Sequence, residues 1–109
     1  MVKKKMEITN LHADLLNLCK NVLKTVSNLR ETIFALKYSR AKAIEMSKSV
    51  EIAEYAVDEI FRETEIKIID AELELGTTLI LRDLAQFLED IADKAEDAID
   101  STRVLALGV

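Results

Sequence analysis

Proline is absent from this 109-residue chain, and glycine occurs only twice, as Gly76 and Gly108. Both residues break helices and build turns, so their scarcity predicts a few long helices with brief connections. Tryptophan is also absent, and aromatic residues make up only 5% of the chain. A core must therefore come mainly from Leu, Ile, Val and Ala, which suits helix-on-helix packing. Cysteine appears once, as Cys19, which excludes an intrachain disulfide and fits a reducing compartment. No apolar run reaches the roughly 18 residues a membrane span needs. The charged segment from Met1 to Met6 lacks the apolar centre of a secretory signal. A cytoplasmic location is the resulting expectation.

What is present points to one domain with a real core. Half the residues are hydrophobic, and a chain of this length supports a single core. The net charge of −5 is unevenly spread. Lys3, Lys4, Lys5, Lys20, Lys24, Arg30, Lys37 and Arg40 face only Glu7, Asp14 and Glu31 in the first 40 residues. The remainder is strongly acidic, which argues against nucleic-acid binding, since phosphates would meet a negative surface. An acidic surface of this kind attracts cations or a basic partner instead.

Three apolar ladders follow, each in steps of three and four that place its members on one helical face. The first is Leu11, Leu15, Leu18, Val22, Val26, Leu29, Ile33 and Leu36, with Thr9 or Asn10 as its expected cap. The second is Val50, Ala53, Val57, Ile60, Thr64, Ile68, Ala71 and Leu75; Ser39 is its expected N-cap and Gly76 its C-terminal stop. Thr77 would then cap the third helix, whose ladder is Leu81, Leu84, Leu88, Ile91, Ala95, Ala98, Thr102 and Leu105. Short connections force neighbouring helices antiparallel. The expected fold is an all-α antiparallel three-helix bundle over residues 9–107, after a basic, flexible start at residues 1–8. Three helices enclose a thin core, so a second copy covering the remaining apolar surface, as a homodimer or higher homo-oligomer, is expected.

The carboxylates of the third helix stand out. Glu89, Asp93 and Asp97 follow at steps of four, with Asp90, Glu96 and Asp100 close by. Like charges at that spacing repel by a few tenths of a kcal/mol per pair. The second helix offers Glu54 and Asp58, also four apart, with Glu51 one turn earlier. Antiparallel packing would set Glu54 and Asp58 opposite Glu89 and Asp93, where two carboxylate pairs could hold a multivalent cation through oxygen. Spacing alone favours a solvated acidic face, with metal binding and a docking surface for a basic partner as the alternatives.

Other residues carry weaker signals. His12 stands alone without the ExxH partner of di-iron bundles. Cys19 sits beside the first ladder, and Tyr38 and Tyr55 read as packing residues with a wet hydroxyl. Lys3-Lys4-Lys5 is too short a basic run for stable anchoring at a membrane surface. No phosphate loop, nucleophile–base pair or CxxC motif supports an enzyme.

Three stretches resemble a known family: Leu79-Ile80-Leu81-Arg82-Asp83-Leu84, then Leu88-Glu89-Asp90-Ile91-Ala92-Asp93-Lys94-Ala95-Glu96-Asp97-Ala98-Ile99-Asp100, then Arg103-Val104-Leu105-Ala106-Leu107. They are similar to the end of PhoU-related phosphate transport regulators, relatives associated with Pit-type phosphate transporters. Val50-Glu51-Ile52-Ala53-Glu54-Tyr55-Ala56-Val57-Asp58-Glu59-Ile60 resembles the family's second helix. The resemblance implies a three-helix bundle with E/DxxxD motifs that bind iron or zinc. Glu54 and Asp58 match one motif, Glu89 and Asp93 the other, and Asp97 lies one turn further. It also implies a regulator or accessory role in phosphate transport through contact with a transporter or sensor protein. Two departures stand out. Family members usually hold two such bundles in about twice this length, and Lys94 stands where PhoU has His after the central Asp. The alternatives are a ligand-free helical oligomerisation module and a carboxylate-bridged metal oxidase or storage bundle.

Overall fold

The computed structural model describes the backbone of residues 2–108 and the side chains of residues 8–108. Nearly all of it is three helices: α1 (Val2–Leu36), α2 (Arg40–Asp70) and α3 (Leu75–Ala106). No strand occurs among the described residues. All three helices pack on one another in an elongated bundle with extents of 58 × 18 × 15 Å. Lys67 near the end of α2 bonds Asp14 near the start of α1 at 3.3 Å, while Arg103 near the end of α3 bonds Ser47 early in α2 at 2.8 Å. Successive helices are therefore antiparallel, as their short connections require.

The ends of the helices test the sequence reading closely. Ser39 caps α2 as expected, its side chain accepting from the Lys42 N–H at 3.1 Å. Other expected ends are corrected. Helical backbone begins at Val2, so Thr9 and Asn10 lie inside α1 rather than at its cap. The Lys3-Lys4-Lys5 side chains lie outside the described set. The second helix stops at Asp70, and Glu72, with φ +51°, takes the left-handed conformation expected of a glycine. Gly76 instead lies in the first turn of α3, whose N-cap is Glu74 rather than Thr77. The glycine that does end a helix is Gly108. Its φ is +76°, and its N–H bonds the Leu105 carbonyl at 3.0 Å.

The core is finer-grained than the three ladders. Leu11, Leu15, Leu18 and Val22 of α1 pack with Val57 and Ile68 of α2 and with Ala85 and Ala92 of α3. A buried Leu, Ile or Val contributes roughly 1.5–3 kcal/mol. Beyond Val22 the buried line of α1 shifts by one residue: Thr25 and Thr32 are fully buried, whereas Val26 and Ile33 face out. Each threonine returns its hydroxyl to its own helix, at 2.9 Å to the Asn21 carbonyl and 2.8 Å to that of Asn28. In α3 the buried line is Ala85, Ala92, Ala95, Ile99, Thr102 and Ala106, so the expected ladder members Leu84 and Leu105 are exposed. Alanines win these positions because small side chains let the helices approach closely, which larger residues would prevent.

Candidate metal centre

Each carboxylate of interest directly follows a core-line residue: Ala53 then Glu54, Val57 then Asp58, Leu88 then Glu89, Ala92 then Asp93. One residue along a helix is a rotation of about 100°, which moves the side chain from the core to its flank. Because α2 and α3 are antiparallel, these flanks open into the same groove. Glu54, Asp58, Glu89 and Asp93 thereby come together, with a carboxylate oxygen from each lying within 4.8 Å of the others. The cleft they line holds about 520 Å³ and is completed by Glu51, Tyr55 and Glu96.

Glu54 is the one charged residue buried among those described, at 6% exposure. None of the four carboxylates has a salt bridge with a described residue. Lys94 is exposed and pairs with none of them. Gln86 supplies a neutral donor, bonding Glu89 at 3.0 Å and Asp90 at 2.9 Å. Electrostatics follow from this crowding. Loss of water by burial, hydrogen bonding with Glu96 and Asp93, and the charges of Asp58 and Glu96 push the Glu54 carboxyl up to about 8. Burial, then hydrogen bonding and repulsion from Asp93 and Asp58, raises Glu89 to about 7. Protonated carboxyls that share hydrogen bonds are how such a cluster persists without a cation.

The geometry suits a hard cation. Metal–oxygen bonds run from about 2.0 to 2.6 Å, so ligand oxygens on opposite sides of one ion stand about 4–5 Å apart. Four carboxylates within 4.8 Å of one another can close around such a centre with little movement. All four donors are oxygens, which favours Mg²⁺, Ca²⁺, Mn²⁺ or iron over softer ions.

Four of the five expected site residues are brought together; Asp97 is exposed and lies outside the lining of the cleft. Glu96 takes its place, because a step of three from Asp93 returns to the groove while a step of four overshoots it. That choice needed the true core line of α3. Tyr38 and Tyr55 do not pack away their rings, being 70% and 71% exposed; Tyr55 flanks the cleft instead. His12 is exposed on α1 and Cys19 is half-buried there, and neither joins the cluster. No helix of the described residues is long and apolar enough to cross a membrane. Comparison with protein-family models, curated proteins and solved structures yields no match to this chain.

Proposed function

We propose that this chain is a metal-binding helical module that acts by protein contact rather than by turnover. The observation that carries this reading is the four-carboxylate cluster with no salt-bridge partner among the described residues. A crowded, like-charged cluster around a buried acid costs stability unless it holds protons or a cation. A multivalent cation coordinated by Glu54, Asp58, Glu89 and Asp93 would offset that cost. Of the metals the family resemblance implies, iron fits an all-oxygen donor set better than zinc does.

The resemblance to PhoU-related proteins supplies the process: an accessory or regulator of phosphate transport. In this reading the loaded α2/α3 groove is the surface offered to a transporter or sensor partner. The cation both ties the two helices together and offsets part of the local negative charge, so docking would depend on loading.

The test is elemental analysis of protein purified without chelator, beside the Glu89→Ala/Asp93→Ala variant. About one equivalent of metal in the wild type and little in the variant is expected. Equal content in the two would remove the site assignment.

A further inference from the structure

Apart from its core line, α1 carries a second apolar seam: Leu16, Cys19, Leu23, Val26 and Ile33. The steps are three, four, three and seven, the spacing of a coiled-coil seam. A shorter line runs along α3 through Ile80, Leu84 and Phe87, in steps of four and three, with Leu105 on the same line eighteen residues further; Ile91 between them is partly buried against the core. Leu16, Leu23, Val26 and Ile33, with Ile80, Leu84, Phe87 and Leu105, are between 39% and 69% exposed.

Both seams lie on one side of the bundle. The flank of α1 that meets α2 carries Asp14, which bonds Lys67. On α3 the flank that meets α2 carries Glu89 and Asp93. Each seam is on the opposite flank of its helix, so the two run side by side on the face away from α2. Charge divides this face on balance, with Glu31 beside the α1 seam and Lys94 within the α3 seam as the exceptions. Lys20, Lys24 and Arg30 lie in or beside the α1 seam, whereas Asp83, Asp90 and Asp97 flank the α3 seam at intervals of seven.

We propose that a second copy of this chain covers this face, with the α1 seam of each protomer on the α3 seam of its partner. The charge pattern selects that pairing. A two-fold axis parallel to the helices sets the basic edge against the acidic edge on both sides of the interface. Stacking α1 on α1 instead would oppose lysine with lysine and aspartate with aspartate.

Sedimentation equilibrium of the full chain tests this, with circular dichroism to verify folding. Wild type is expected at twice the chain mass. Leu23→Glu and Phe87→Glu should each give folded monomers, and Ile52→Glu on the exposed side of α2 should remain dimeric. Reversing Asp83, Asp90 and Asp97 to Lys should weaken the dimer by about tenfold or more, and reversing Lys20, Lys24 and Arg30 to Glu in the same chain should restore it. A monomeric wild type would overturn the proposal, including one that binds anionic vesicles. So would a dimer indifferent to Leu23→Glu. Tighter association after the Lys20/Lys24/Arg30 reversal alone would overturn the α1-on-α3 pairing.

Discussion

Glu51 and Glu54 sit one turn apart on α2, facing the same groove, yet their surroundings drive them in opposite directions. Arg103 reaches across from α3 to Glu51 at 2.6 Å and holds that carboxyl below its ordinary value. The same guanidinium bonds the Ser47 hydroxyl at 2.8 Å and Asp100 at 3.4 Å. Glu54 meets other carboxylates instead and is pushed up to about 8. One end of the groove is thus an ordinary solvent-edged ion pair joining two helices. The middle is an unneutralised cluster around a buried acid. The difference teaches that acidic density alone does not mark a site. What distinguishes the middle is burial together with the absence of a guanidinium at its level.

The largest expected effect would come from supplying the missing charge. Excess metal at about one hundred times its dissociation constant should stabilise the fold by about 2.7 kcal/mol. Thermal melts with and without chelator would show a rise in Tm, absent in Glu89→Ala/Asp93→Ala. The Arg103 end should give no such response, since its guanidinium already serves Glu51 and Asp100.

Protonation breaks the comparison in a second way. Both raised acids normally titrate near 4.5, but in the folded chain Glu54 keeps its proton to about 8 and Glu89 to about 7. Between those limits the folded protein binds more protons than the unfolded chain. The stability of metal-free protein should therefore fall as pH rises from about 4.5 to about 8, and level off above. Glu54→Gln should flatten this slope and stabilise the metal-free protein at pH 8 by about 1–2 kcal/mol. Urea unfolding across that pH range measures both. Metal should bind more tightly as pH rises, because binding displaces those same protons.

Arg103→Met should return the Glu51 carboxyl towards its ordinary value and lower Tm modestly, since the pair is partly in water. NMR titration of Glu51 would show the change, and Glu54 should be unmoved. A position outside the groove sets the smallest scale. Gly76 lies within the first turn of α3 with nothing within 4 Å of an added Cβ, so Gly76→Ala should stabilise by about 0.5–1 kcal/mol. A calorimetric gain in that range, independent of pH and metal, would serve as the reference for the other variants.

The class of fold was legible in the sequence because periodicity and the want of Pro and Gly are local properties. Ser39 was legible for the same reason: an N-cap needs only its own helix's first N–H groups. The pairing of Glu54 and Asp58 with Glu89 and Asp93 was also within reach, since i, i+4 spacing plus an antiparallel neighbour predicts it. Three features were not legible. Val26 and Ile33 gave way to Thr25 and Thr32 because α1 carries two adjacent apolar seams, and only packing decides which one turns inward. Glu72 in place of Gly76 at the end of α2 reflects where α3 must dock rather than residue preference. Glu96 in place of Asp97 followed from the rotation of α3 about its own axis.

By itself, then, the sequence determined three long antiparallel helices and an acid-rich pair of them. These depend on repeat spacing and on helix-breaking residues that are absent. Only the tertiary structure decided the rotation of each helix. That rotation buried Glu54, kept Arg103 at the other end of the groove, and left a second apolar seam facing out on α1 and on α3. The physical reason is that a 100° step per residue turns a small change in helix rotation into a different neighbour for every side chain.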